Sequence, residues 1–321
     1  MNLIDLHTAA ARLLEAGAVR ILAHSHPDGD TLGSAWALAH ALHALGKDVR
    51  VLCGDPTPAM FAYMSAGLVE TERGDALVVS VDVADESLLG DTLARAWGGK
   101  IDLNIDHHGS NSLRAPECLI DATAAACAEI VGELIDAMGA PLTAHIAACL
   151  YAGISTDTGC FRYANTTARS HRWAARCMEL GVDTEPLDRA FFETDSRAYL
   201  ALERMAFDDL RYFCGGRMAL VAVTQTMFRE SGSNDDEFVK ISARTRQIEG
   251  VLVGVSIRER PDGSFKISLR SHAPVDAADL CARMGGGGHP RAAGAESYMP
   301  LEETIAMVVG VVEEALEGVE L

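Results

Sequence analysis

Three times in the first third of the chain, a short apolar run ends on an acidic residue. Val19-Arg20-Ile21-Leu22-Ala23 leads into His24-Ser25-His26-Pro27-Asp28-Gly29-Asp30. Leu77-Val78-Val79-Ser80-Val81 leads into Asp82, and Leu103-Asn104-Ile105 leads into Asp106-His107-His108. Runs of this length and composition read as buried strands. The spacing predicts strands over 19–23, 49–53, 76–81 and 101–105, and helices over 2–16, 31–45, 124–138, 142–154 and 166–180. This alternation predicts an α/β fold with a parallel sheet covered on both faces. The polar clusters then fall at the edge of the sheet where such folds bind ligands. Gly17, Gly46, Gly139 and Gly181 stand just past predicted helices, as C-terminal caps should.

Beyond residue 185 the pattern changes. Residues 186–212 are charged and helical without a strand signal, and read as a connecting segment. A second, smaller α/β domain then spans 213–321. It has strand runs at 218–223, 251–257 and 265–269, with Pro261-Asp262-Gly263 as a hairpin turn, and helices at 276–284 and 301–316.

The 321 residues are 49% hydrophobic, enough for two packed cores. The net charge of −19 argues against gripping long duplex DNA, which calls for a basic surface. It permits a short anionic substrate held by a few local cations. No apolar run is long enough to span a bilayer, and residues 1–18 read as an amphipathic helix, not an export signal. The eight cysteines form no CxxC pair, so buried free thiols in a reducing cytoplasm are expected.

Any one of the acidic clusters has an ordinary explanation as a turn or helix cap. Together with Asp157, in Gly153-Ile154-Ser155-Thr156-Asp157-Thr158-Gly159, they form a set that would repel itself badly without a cation. Carboxylate and imidazole ligands suit a borderline metal such as Mn²⁺, with Mg²⁺ or Co²⁺ as substitutes. So many carboxylates can hold two ions about 3.5–4 Å apart, the arrangement used in phosphoryl displacement. The histidines at 7, 40, 43, 145 and 171 lie in helical contexts and read as surface or internally satisfied groups.

The four clusters, in this order, resemble the DHH phosphoesterase superfamily. The tail Gly285-Gly286-Gly287-Gly288-His289-Pro290-Arg291 resembles the glycine-histidine motif of the DHH-associated C-terminal domain. The stretch Thr156-Asp157-Thr158-Gly159-Cys160-Phe161-Arg162-Tyr163-Ala164-Asn165-Thr166 resembles the branch that degrades very short oligoribonucleotides and dephosphorylates 3′-phosphoadenosine 5′-phosphate (pAp). The resemblance implies a parallel-sheet catalytic domain over 1–185 and a substrate-binding domain over 213–321. It implies that His24 and Asp28 bind one Mn²⁺, that Asp30, His107 and Asp157 bind a second, and that Asp82 bridges both. Asp106 would orient a histidine, and His108 would contact the scissile phosphate.

Arg270, Gly287, Gly288 and His289 are the substrate-binding candidates in the second domain, with Arg291 and His272 behind them. Arg114 and Asn111 are candidates in the first. The expected partner is a short single-stranded RNA or a nucleotide, and the resemblance implies a homodimer. Hydrolysis of a linear or cyclic dinucleotide, such as pApA, is the competing enzymatic reading. A nucleotide sensor that has lost catalysis is the competing non-enzymatic one.

Overall fold

The computed structural model describes residues 2–69 and 75–319. The chain divides into two compact units, Met1–Thr194 and Asp195–Leu321.

The first unit runs β1 (Asn2–Leu3), α1 (Leu6–Glu15), β2 (Ala18–Leu22), α2 (Gly29–Ala44), β3 (Asp48–Leu52), β4 (Leu77–Val81), α3 (Gly90–Trp97), β5 (Leu103–Asp106), β6 (Glu117–Ile120), α4 (Cys127–Ala137), α5 (Ala144–Asp157), α6 (Ala168–Glu179) and α7 (Thr184–Asp188). Its six strands form one sheet in the order β1-β6-β5-β4-β2-β3, with every pairing parallel. β2, β4 and β5 are buried along their whole length. That is why they read as nearly continuous apolar runs, interrupted only by buried Arg20, Ser80 and Asn104 before Asp106 closes β5. These strands are neighbours, so their carboxyl ends, and the polar residues that follow each, lie on one sheet edge.

α2 and α5 approach closely behind that edge, because small residues face each other. A Cβ on Gly33 would lie 2.4 Å from the Cys149 carbonyl oxygen, and one on Gly153 would lie 2.8 Å from Asp30 Oδ1.

The second unit contains α8 (Arg197–Asp208), β7 (Arg211–Phe213), β8 (Met218–Val223), α9 (Gln225–Ser231), α10 (Asp235–Thr245), β9 (Val253–Glu259), β10 (Phe265–Ser271), α11 (Ala277–Arg283), β11 (Gly287–His289), β12 (Ala292–Ser297) and α12 (Leu301–Leu316). The sheet order is β11-β12-β10-β9-β8-β7. The β8–β9 pair is parallel and the other pairs are antiparallel. One face carries Leu220, Val255, Ile267 and Leu269 against α11 and α12. Val221 and Val223 pack with Tyr199, Phe228 and Phe238 from α8, α9 and α10.

Several local expectations are corrected. The first helix starts at Leu6, where the Asp5 side chain caps it by accepting the Thr8 N–H at 2.7 Å. Asn2–Leu3 pairs with β6 instead. Gly17 is no left-handed cap, whereas Gly46, Gly139 and Gly181 are. In the charged segment, α7 and the π-turn Arg189–Glu193 belong to the first unit and α8 to the second. The glycine run ends as strand β11, and β12 follows it. Its glycines and alanines carry little strand signal. All eight cysteines are unpaired. Among the described residues, no helix is long and apolar enough to cross a membrane.

Candidate metal centre

Each strand end delivers one part of the cluster. After β2 the chain turns through His24 to Asp28, which caps α2. The Asp28 Oδ1 accepts the N–H groups of Asp30 and Thr31, both at 3.0 Å. Asp30 sits in the first turn of α2 with its carboxylate buried. It accepts the N–H groups of Cys127 (2.7 Å) and Ala128 (2.9 Å) at the start of α4. Asp82 follows β4 with a left-handed backbone, φ 57°, rare for a residue with a Cβ. Asp106 ends β5, with His107 and His108 beyond it, and Asp157 ends α5.

These side chains meet around Asp82. His24 Nε2 lies 3.6 Å from both Asp28 Oδ1 and Asp82 Oδ2. His107 Nε2 lies 3.5 Å from Asp82 Oδ1 and 3.8 Å from both Asp30 Oδ2 and Asp157 Oδ2. Three overlapping sets that could each hold a metal ion result: His24 with Asp28 and Asp82, Asp30 with His107 and Asp157, and Asp82 with Asp106, His107 and His108. In each set, the ligand atoms lie within 4.8 Å of one another.

Both rings are oriented from behind. His24 Nδ1 bonds the Ser25 carbonyl at 2.8 Å and His107 Nδ1 the Ala124 carbonyl at 3.2 Å, so each directs Nε2 at the carboxylates. His108 Nδ1 bonds Asp106 Oδ1 at 2.8 Å. Asp106 is itself held by the Asn111 amide, 2.5 Å from Oδ2.

The electrostatics of this cluster call for positive charge. Burial drives the Asp82 carboxyl far above its ordinary range, and Asp30 adds to the effect. Burial also raises Asp30 itself, and burial with Asp30 and Asp28 pushes Asp157 up to about 8. Burial works against a charged His24, but Asp28 and Asp82 prevail and push it up to about 11. The Asp106 hydrogen bond, against burial, pushes His108 up to about 9. Asp28 moves the other way, below the usual carboxylate range. What desolvation it feels opposes this, and His24 outweighs it. The Asp28 side chain is more than half exposed, so that pair is partly screened. Asp82 Oδ1 is buried without a hydrogen-bond partner. Buried polar atoms rarely stay orphaned. The donor set, the crowded carboxylates and this unpartnered oxygen fit divalent cations.

The remaining candidates sit elsewhere. Asn111 lies beside the cluster, but its amide is turned inward onto Asp106, Asn104 Oδ1 (2.9 Å) and the Val83 carbonyl. Arg114 is exposed, between buried Leu113 and Ala115. In the second unit, Arg270 and His289 both pair with Ala292, one from each side of β12. Gly287 and Gly288 lie on the same edge strand as His289. A Cβ on Gly288 would meet the Ala293 Cα at 2.6 Å. The Arg291 guanidinium is held by the Val275 carbonyl and His272 Nε2 by the Arg246 carbonyl.

Sequence reasoning missed Asn165. Its amide reaches back to the Asp157 carbonyl (3.1 Å), Asp157 Oδ2 (3.3 Å) and the Ala125 carbonyl (3.1 Å). It also missed the start of α4 as the seat of Asp30. Neither contact has a local signal in the chain.

A model of the DHH family's N-terminal domain matches residues 18–154, and one of the DHHA1 domain matches residues 218–318. The chain is 35% identical, over 318 residues, to the bifunctional oligoribonuclease and PAP phosphatase NrnA of Thermus thermophilus. That alignment covers 95% of this chain and 93% of the relative. In fold it is similar to an exopolyphosphatase-related protein from Bacteroides fragilis, with a TM-score of 0.86 at 24% identity, covering 97% of this chain and 95% of that one. It is also similar to RecJ of Thermus thermophilus in complex with Mn²⁺, with a TM-score of 0.58 at 17% identity, covering 98% of this chain and 55% of that one.

Proposed function

The chain belongs to the DHH family, and from that premise we propose that it is a metal-dependent phosphoesterase acting on short oligoribonucleotides and on pAp. The observation that carries the reading is the convergence of six carboxylate and imidazole side chains, Asp82 among them, in one cluster. The Thermus relative, an oligoribonuclease and PAP phosphatase 35% identical along nearly the whole chain, suggests the substrate class.

In this reading His24 and Asp28 would hold one divalent cation and Asp30, His107 and Asp157 a second, with the Asp82 carboxylate available to both. Mn²⁺ is the proposed ion, in keeping with the mixed carboxylate and imidazole donors. When bound, the cations would activate water at neutral pH and offset charge on the phosphate. The chain's own groups do the rest. The Ser25 and Ala124 carbonyls fix the tautomers of His24 and His107, so that neutral Nε2 atoms serve as ligands. Asp106 holds His108 by Nδ1, and His108 stabilises the charge that develops on the phosphate as the ester bond breaks. Asn111 keeps Asp106 in place. Arg270, His289 and the backbone of Gly287 and Gly288 are the proposed phosphate contacts of the second unit, and Arg114 is that of the first.

The test is direct. Protein purified with Mn²⁺ is supplied with a labelled trinucleotide, pAp and pApA, and initial rates are compared. Release of mononucleotide from the trinucleotide and of phosphate from pAp is expected. If only pApA is turned over, the dinucleotide reading replaces this one. If wild type is inert with every metal while Asp82→Ala still binds nucleotide, the protein is a sensor.

A further inference from the structure

The loop that joins Asp157 to α6 has no task in the reaction above, yet the chain builds it at a cost. Gly159, Cys160 and Phe161 follow one another with φ of 56°, 58° and 60°. Two of these carry a Cβ and so avoid that region unless the surroundings force it. Thr158 is the anchor. Its carbonyl accepts the N–H groups of Arg162 and Tyr163, both at 3.0 Å, and its Oγ1 accepts the Phe161 N–H at 3.1 Å. The Phe161 ring stacks on His171 with centroids 5.2 Å apart. Asn165 then ties the far end of the loop back to the Asp157 carboxylate.

The outcome of this wiring is Tyr163. Its side chain lies on Gly159, where a Cβ would fall 2.4–2.6 Å from the ring, so only glycine admits the ring there. The residue is 49% exposed. The buried tyrosines of the chain use their hydroxyls, Tyr151 on Asp188 and Tyr199 on Glu203. Among the described residues, the Tyr163 hydroxyl has no partner. Tyr212 and Tyr298 are exposed as well, but neither lies on a segment tied to the carboxylate cluster. A half-exposed aromatic ring, packed on its own loop just after Asp157, is the kind of surface on which a base stacks.

We propose that Tyr163 is the stacking platform for the base of the nucleotide whose phosphate is cleaved. The proposal rests on the phosphoesterase reading above. It makes Tyr163 a specificity residue. A single ring face accepts purines and pyrimidines alike, so the enzyme tolerates any base but demands one.

The test pairs the ring with the base. KM and kcat are measured for pAp and for base-free ribose 3,5-bisphosphate, with wild type, Tyr163→Ala and Tyr163→Trp. The expected result is that Tyr163→Ala raises KM for pAp about tenfold more than it raises KM for the base-free substrate. Tyr163→Trp recovers most of that loss. Equal losses on both substrates would overturn the proposal and make Tyr163 a support for Asp157. A second readout does not need turnover. Fluorescence of 2-aminopurine riboside 5′-monophosphate is quenched on binding to wild type and to Tyr163→Trp, and far less with Tyr163→Ala. Absence of quenching in wild type also overturns it. If quenching follows the ring but neither pAp nor a trinucleotide is hydrolysed, the stacking site stands and the assigned reaction falls.

Discussion

Gly153→Ala is the substitution that most sharply tests how the fold seats the site. Gly153 lies inside α5, and a Cβ there would be 2.6 Å from the Ala128 Cβ and 2.8 Å from Asp30 Oδ1. Carbon atoms in contact sit about 3.5–4.0 Å apart, so the first approach is short by about 1 Å. Relieving it means moving α5 away or pushing on Asp30 and the start of α4. Overpacking of this size costs about 1–3 kcal/mol. Alanine returns about 1 kcal/mol in a helix interior. The net loss of stability is then about 0–2 kcal/mol, a fall of a few degrees in Tm for a unit of this size. Activity should suffer far more. Asp30 takes its position from the Cys127 and Ala128 N–H groups, and the added carbon pushes on that same carboxylate. A displacement near 1 Å at a reacting centre costs about 100-fold in rate. The assay is kcat for pAp at saturating Mn²⁺ beside thermal melts followed by circular dichroism. Gly310→Ala is the control, because Gly310 lies within α12 and a Cβ there meets nothing within 4 Å. It should melt slightly higher and keep its kcat. A Gly153→Ala protein with kcat within about twofold of wild type and a lowered Tm would refute the argument. The helix spacing would then matter to the fold and not to Asp30.

Chelator-stripped protein should melt at a higher temperature on adding Mn²⁺, since a ligand at 100 times its Kd stabilises by about 2.7 kcal/mol per site. Asp82→Ala should lose most of that rise in a differential scanning experiment, and an equal rise in both proteins would count against Asp82 as the bridge. Asn111→Ala should lower kcat for pAp by about tenfold at nearly constant KM, because its amide holds Asp106. A raised KM at normal kcat would instead make Asn111 a substrate contact. Arg169→Gln should destabilise the first unit by about 3 kcal/mol. Arg169 Nε lies 3.4 Å from the fully buried Glu129 carboxylate, and removing one partner of a buried pair leaves the other uncompensated. Burial acts against a charged Asp121, but Thr123 and Arg169 outweigh it and hold its carboxyl below the usual range. A lowered carboxyl stabilises above its unfolded pKa of about 3.9 and loses that contribution as pH falls through the lower folded value. Urea midpoints below about pH 4 should therefore fall less steeply in Arg169→Gln than in wild type, and parallel curves would exclude the Asp121 pair as the cause.

What was legible in the chain and what was not divide on a physical line. β2, β4 and β5 are buried on both faces, so each is a mostly apolar run, and the acidic cluster that closes each run marks a sheet edge without further information. Other strands lack that signal. β1 is two residues long, and β12 is built from small residues whose strand character comes only from pairing with β10 and β11. The same line runs through the cluster. His24, Asp28, Asp82, Asp106 and His107 announce themselves because they follow strands directly. The groups that orient them do not, because Ala124, Asn165 and the start of α4 become neighbours only when α4 and α5 dock. Asp82 shows why such support is needed. Its left-handed backbone costs about 1–2 kcal/mol, and its Oδ1 is buried without a hydrogen bond, a further cost of about 1–3 kcal/mol. Both penalties fall on the one residue that faces His24 and His107 together. A fold selected for stability alone would replace it, whereas one that must present a single carboxylate to two neighbouring sets of ligands has no cheaper conformation to offer.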